Sequence, residues 1–184
     1  MANLAANATD AELTAALKAS DHFAFRAIYY RYFEALFRFL WRQTHDDELA
    51  KDLLQEIFSR VWKNRNNLDA SQSIKSYLYR IGQNLVIDHR RKNTHSLDSL
   101  EEHPEIEPTY STDESFDLQD KIQSAIEDLP EQVRIVFTMN RFDGFKYTEI
   151  AALLNISLKT VEARMSKALT LLREKLAPFL TQRE

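Results

Sequence analysis

Cysteine is absent from the 184 residues, which excludes disulfides, thiolate metal sites and thiol nucleophiles and suits a reducing compartment. Glycine occurs only twice, as Gly82 and Gly144, and proline four times. Hairpins and phosphate-cradling loops therefore lack their usual material, and a nearly all-helical chain is expected. No stretch approaches the apolar length that spans a bilayer, and the opening "MANLAANATDAELTAALK" has neither the basic start nor the continuous apolar run of a signal peptide. A soluble, cytoplasmic protein is the expectation. The five histidines, His22, His45, His89, His95 and His103, form no HExxH or other paired ligand spacing. His95 and His103 stand near Glu101 and Glu102, an arrangement that a solvated acidic segment explains better than a metal site. No nucleophile and base pair stands out, so the chain is not expected to be an enzyme, and no catalytic residue, metal or cofactor is expected.

The net charge of −4 conceals a segregation along the chain. From Asn93 to Asp120 there are nine acids and no Lys or Arg. Before that stretch, Lys75, Arg80, Arg90, Arg91 and Lys92 face Asp88 alone, and from Phe145 to Leu176 six bases meet three acids. Two basic patches flank an acidic strap, the pattern of a nucleic-acid binder whose average charge misleads.

Helical periodicity runs on both sides of the strap. "TDAE" at Thr9 has the capping-box form and opens a short helix with Leu13, Ala16 and Leu17 on one face. From about Ser20 to Gln43, Phe25, Ile28, Tyr29, Tyr32, Leu36, Leu40 and Trp41 recur at helical steps. Asp46 or Asp47 can cap the next helix, with Leu49, Leu53, Ile57, Val61 and Trp62 inward, and a third long helix covers about Ile74 to Lys92, with Ile74, Tyr77, Leu78, Ile81, Leu85 and Val86 inward. The stretch "NTHSLDSLEEHPEIEPTYSTDES" loses the period and reads as a linker. Helix then resumes with Leu118, Ile122, Ala125, Ile126 and Leu129 on one face; Pro130 opens a further helix to about Arg141, and "DG" at Asp143 makes a turn. The expectation is an all-α chain of two small helical domains: an extension with a short helix over 1–20, a first domain over 21–92, an acidic linker over 93–116, a second domain over 117–178 and a tail over 179–184.

The stretch "YTEIAALLNISLKTVEARMSKAL" from Tyr147 has the proportions of a helix-turn-helix. Thr148 is a plausible cap with Ile150, Ala151 and Leu154 inward, Asn155 suits a left-handed exit, and Ser157 can cap the second helix, whose Val161, Met165, Ala168, Leu169 and Leu172 point inward. That leaves Lys159, Thr160, Glu162, Ala163, Arg164, Ser166 and Lys167 on the outer faces, concentrated in the first turns where a recognition helix meets base edges. Lys159, Arg164 and Lys167 suit phosphate oxygens or guanine acceptors, Ser166 can donate or accept, and Glu162 can accept from a cytosine amino group. A solvated helix face shows the same pattern, so spacing alone leaves both readings open.

Together with "AIEDLPEQVRIVF" upstream, this stretch resembles region 4 of bacterial sigma factors of the sigma-seventy family. Independently, "AKDLLQEIFSRVW" at Ala50 resembles region 2.2, and "IKSYLYRIGQNLVIDHRRK" at Ile74 resembles regions 2.3 and 2.4. With only these two regions and a short linker, the chain is similar to the extracytoplasmic function (ECF) group. The resemblance implies a factor that binds core RNA polymerase and directs promoter-specific initiation. By position, Asp52, Gln55, Glu56 and Phe58 match the signature that meets the clamp helices of the polymerase beta-prime subunit, and region 4 implies the beta subunit flap as a further partner. Asn84 matches the family's minus-ten asparagine, and Arg80, Arg90, Arg91 and Lys92 would hold the backbone of promoter DNA. Asn67, Ser71, Gln72 and Ser73 are candidates for a base pocket; of Tyr77 and Tyr79, one, Tyr77 in preference, is core. In region 4 the match implies Glu162, Ala163, Ser166 and Lys167 for bases of the minus-thirty-five element, with Lys159, Thr160 and Arg164 nearer its backbone. Members are commonly held inactive by an anti-sigma factor, often membrane-bound.

Two residues depart from the family's pattern. Gly82 stands where alanine is usual, so the third helix is either looser there or closely approached. Glu162 replaces a basic residue in the recognition helix, which opens the choice of distal promoter sequence. The rival reading is a one-component regulator whose aromatic N-terminal helices sense a ligand or dimerise and which reuses the helix-turn-helix; the basic run Arg90 to Lys92 argues against it.

Overall fold

The computed structural model describes residues 8–96 and 114–180, and all regular structure among them is helical. The expected acidic linker lies largely outside the described residues, as do 1–7 and 181–184. The chain divides into two compact units, Met1–Ser96 and Leu97–Glu184.

In the first unit, helix α1 (Asp10–Lys18) starts on the expected capping box, with Thr9 Oγ1 accepting from the Glu12 amide and the Glu12 carboxylate accepting from the Thr9 amide. Helix α2 (His22–Thr44) is capped by Asp21, whose carboxylate accepts from the Phe23 and Ala24 amides, and it ends on His45 in the left-handed conformation, φ 52°. Of the two candidate caps for α3 (Asp47–Lys63), Asp46 takes the position, accepting from the Leu49 amide at 3.0 Å. A 3-10 turn (Arg65–Asn67) and a short loop lead to α4 (Ile74–Ser96), which runs four residues beyond the expected end at Lys92. Helices α2, α3 and α4 pack on one another around Ile28, Leu36, Leu40, Ile57, Leu78 and Tyr79, and α1 lies against α2 with Leu13 and Leu17 buried.

A polar clasp fixes α1. The Asp10 carboxylate accepts from Arg31 at 2.7 Å and from the Tyr32 hydroxyl, while Arg31 also donates to the Ala8 carbonyl at 2.7 Å. Burial, reinforced by the hydrogen bond to Asp10, pushes the Tyr32 hydroxyl well above its ordinary value near 10. In the unfolded chain that hydroxyl ionises near pH 10; folded, it keeps its proton, so the stability this provides is complete below pH 10 and is lost as pH rises further. Tyr32→Phe is therefore expected to cost about 1.5–3 kcal/mol at neutral pH, a hydrogen bond to a charged acceptor. It should also flatten the loss of unfolding free energy between pH 9 and 11 in urea titrations.

In the second unit, α5 (Glu114–Glu127) is followed by Pro130, which caps α6 (Glu131–Arg141) and accepts the Val133 and Arg134 amides on its carbonyl. Gly144, at φ 69°, turns the chain into α7 (Tyr147–Leu154), and α8 (Leu158–Leu180) completes the unit. Helix α8 packs on α5, α6 and α7 around Ile126, Val136, Phe145, Ile150, Val161 and Ala168. Two residues expected inward stand at the rim, Ile122 at 38% exposure and Leu169 at 40%. Both lie at the edge of the apolar arc, where the partner helices no longer cover it. The Lys175 ammonium holds the Asp128 carboxylate at 2.5 Å, tying α8 to the chain just beyond α5.

Candidate nucleic-acid interface and docking face

Three surfaces carry the residues singled out in the sequence. On α3, Leu53, Ile57 and Val61 turn to the core, which leaves Asp52 and Gln55 exposed and Glu56 beside them on the adjoining face. The Glu56 carboxylate accepts from Arg60 Nε at 2.7 Å, and this bond holds it below the usual carboxylate range. Phe58 is not part of this surface. It is buried, its ring 4.7 Å from that of Tyr29 and 6.2 Å from that of Phe25, so its place in the motif is to anchor the helix rather than to meet a partner.

The second surface is α4 with the loop before it. Ser73 Oγ accepts from the Ser76 amide and opens the helix. Arg80, Asn84, Ile87 and Arg91 then follow at steps of four, three and four, all exposed, and form one continuous stripe. Lys92 is exposed beside it. Tyr77 continues the stripe towards the loop: it is half-buried, its hydroxyl accepts from Asn64 Nδ2 at 2.8 Å, and the Arg80 guanidinium lies 6.0 Å from its ring centre. The tyrosine in the core is Tyr79, not Tyr77. It is 1% exposed and packs on Phe39 at 4.8 Å, because α4 is covered by both α2 and α3 and its buried arc is wide enough to take in position 79.

Arg90 also departs from expectation. Its Nη2 donates to the Gln43 carbonyl at 2.7 Å, one of the last carbonyls of α2. There it supplies the hydrogen bond and the positive charge that a helix C-terminus lacks, which gives it a structural task besides any contact with DNA. In the preceding loop, Asp69 accepts from the Ser71 amide at 2.9 Å, the Ser71 hydroxyl at 2.7 Å and Gln72 Nε2 at 3.3 Å. These bonds, those from Ser71 first, hold its carboxyl below the ordinary range. Asn67 is exposed, with Nδ2 donating to Asn64 Oδ1. An Asp two residues before a Ser is a recognisable turn signal, and Asp69 and Ser71 have that spacing.

The third surface is the helix-turn-helix. Helix α7 begins one residue before Thr148, so Thr148 lies inside the first turn; Lys146 takes the cap position and its amide donates to Glu149 Oε2 at 2.7 Å. Asn155 ends α7 at φ 53°, ψ 47°, the left-handed exit expected of it. Ser157 then opens α8, its hydroxyl oxygen 3.1 Å from the Thr160 amide and 2.8 Å from the Thr160 hydroxyl. Val161, Met165, Ala168 and Leu172 are buried. Lys159, Glu162, Ala163, Ser166 and Lys167 stand exposed on the outer side, while Thr160 and Arg164 are half-buried at its edge. Arg164 Nη2 donates to Gln132 Oε1 in the first turn of α6. No sequence pattern announced that pairing, which spans 32 positions.

Comparison with known proteins identifies two family regions in the chain. The family described as Sigma-70 region 2 matches residues 28–96, and that described as Sigma-70, region 4 matches residues 119–172. The ECF RNA polymerase sigma factor SigW of Bacillus subtilis is 30% identical over 173 residues, covering 87% of this chain and 92% of its own length. The ECF RNA polymerase sigma-E factor of Escherichia coli is 26% identical over 185 residues, covering 94% and 96%. Among solved structures, CnrH in complex with the cytosolic domain of CnrY shares the fold at a TM-score of 0.65 and 22% identity, over 95% of this chain and 99% of its own. The sigma factor RpoE in complex with the anti-sigma factor NepR, from Bartonella quintana, does so at 0.64 and 20%, over 83% and 96%. Both regions are matched in order and a curated relative is aligned along nearly its whole length, so this chain belongs to the ECF RNA polymerase sigma factors.

Proposed function

We propose that the three surfaces divide the work of a sigma factor. The exposed face of α3, through Asp52, Gln55 and Glu56, docks on the beta-prime clamp helices of core polymerase, with Phe58 and Leu53 fixing that face from within. The α4 stripe takes the melted minus-ten strand: Asn84 offers a side-chain amide that can pair with a base edge, Arg80 and Arg91 with Lys92 hold phosphates, and Tyr77 supplies a ring on which a base can stack. Arg90 contributes mainly through the end of α2. The outer side of α8 enters the major groove of the minus-thirty-five duplex, with Glu162, Ala163, Ser166 and Lys167 towards bases and Lys159, Thr160 and Arg164 towards backbone. Region 4 also meets the beta subunit flap. The chain works in the cytoplasm, without a catalytic centre of its own. The relatives solved with CnrY and with NepR motivate an anti-sigma factor as a third partner.

The observation that carries this reading is the α4 stripe, where amide, cations and ring share one exposed face. A sensing or dimerisation domain has no use for that combination, and the match to region 2 removes the one-component regulator as a rival. The reading is tested by run-off transcription with purified core polymerase on genomic promoter fragments; absence of initiation overturns it. With initiation established, Glu162→Ala and Lys167→Ala are expected to change the preferred minus-thirty-five sequence, each by about 1–3 kcal/mol of discrimination at one base pair. Arg91→Ala is expected to weaken binding to all promoters alike and to reduce the salt dependence. Identical behaviour of the three variants removes the division into base-reading and backbone-holding residues.

A further inference from the structure

We propose that Gln132, outside the helix-turn-helix, is a positioning residue for promoter binding: it aims the Arg164 guanidinium at a phosphate of the minus-thirty-five duplex. The inference rests on the assignment of α8 as the recognition helix. Arg164 is half-buried at the edge of α8, and its Nη2 donates to Gln132 Oε1 in the first turn of α6. Only the amide oxygen can accept that bond, so the orientation of the Gln132 side chain follows, and Nε2 becomes a second donor on the same side chain. A guanidinium carries five N–H groups in a rigid fork. With one Nη2 hydrogen committed, those that remain are presented in a fixed direction.

The chemistry favours a phosphate over a base as the ligand. An arginine that reads guanine must extend its whole fork to the groove floor, whereas this one is held back against α6 and offers its remaining N–H groups beside the helix. Gln132 is exposed, so replacing its amide leaves the core untouched. Its evident effect is on the direction of Arg164. A free arginine side chain samples many rotamers and loses that freedom on binding; one already pinned loses less and binds more tightly.

The test uses polymerase holoenzyme reconstituted with the wild-type chain, Gln132→Leu, Arg164→Met and the double variant, binding a duplex promoter fragment over a range of salt. Arg164→Met is expected to weaken binding about tenfold and to reduce the slope of log K against log salt by about 0.9, the value of one phosphate contact. Gln132→Leu is expected to weaken binding about three- to fivefold, and the double variant to match Arg164→Met alone, since neighbours acting through one contact are not additive. Preference among minus-thirty-five base substitutions should be unchanged in both single variants. Multiplicative losses in the double variant, an unaltered Gln132→Leu, or a shift in base preference each overturn the inference. A wild-type holoenzyme indifferent to scrambling of the minus-thirty-five element instead removes the assignment of α8, a result separable from the others.

Discussion

Replacing Gln55 and Glu56 together by alanine is expected to lower affinity for core polymerase at least a hundredfold, about 3 kcal/mol, while the chain stays folded. Both side chains lie on the outward part of α3, and neither is needed to bury Leu53, Ile57 or Val61. Among the described residues, the change removes the ion pair between Glu56 and Arg60, solvent-exposed and on one helix, and a weaker attraction between Glu56 and Lys63. Pairs of that kind contribute a few tenths of a kcal/mol, and alanine is the better helix former, so the melting temperature should hardly move. Binding is affected differently. An amide and a carboxylate beside Asp52 make a compact polar patch, and truncation leaves the partner's donors desolvated without acceptors, which costs more than the bonds themselves contribute. Competition for core polymerase against a labelled sigma factor measures the loss, and circular dichroism checks the fold. Near-wild-type competition by the double variant would place the docking face elsewhere on the first unit.

Much of this architecture is legible in the sequence, and the exceptions have physical reasons. Capping residues are local chemistry, so Thr9, Asp46, Asn155 and Ser157 act as their types suggest. Thr148 does not, because Glu149 one position later satisfies the Lys146 amide and lets the helix begin earlier. Periodicity identifies one buried face per helix, but α4 is covered from two sides, and that is why Tyr79 and Gln83 are inside as well as Leu78 and Ile81. Conversely Leu169 lies at the edge of the apolar arc of α8, beside the buried Ala168 and Leu172, and stays exposed. The contacts of Arg90 with Gln43, Arg164 with Gln132 and Asp10 with Tyr32 join distant positions. No window of sequence can show them. The proposed docking residues Asp52, Gln55 and Glu56 are a different case: an exposed polar face looks alike whether or not a partner meets it, and only the resemblance to the family motif marks it.

Gly82→Leu is expected to unfold the first unit under conditions where the second remains folded. Gly82 lies in the middle of α4, where glycine costs about 1 kcal/mol relative to alanine, and the packing around it explains its use. A Cβ added there would stand 3.1 Å from Ile57 Cδ1 and 3.5 Å from both Leu40 Cδ2 and Phe39 Cε1, so α2 and α3 converge on this one position. Gly82→Ala thus gains helix propensity and asks only that the tip of Ile57 move by a few tenths of an ångström; a net change within about 1 kcal/mol is expected. Leucine adds three further heavy atoms among side chains that are themselves buried, Ile57 and Leu40 at 0% exposure and Phe39 at 2%. Their side chains close around the branch point, so the helices are expected to part, at a cost of about 3 kcal/mol or more, a large share of the stability of a small helical domain. In an amide spectrum the resonances of α1 to α4 should collapse towards random-coil positions while those of α5 to α8 keep their dispersion. Intact α1 to α4 resonances in Gly82→Leu would show that the three-helix junction yields more easily than its packing implies. The same variant is expected to separate the two proposed promoter readers functionally, since under the proposed assignment loss of the first unit removes polymerase docking and minus-ten capture together while the helix-turn-helix stays folded.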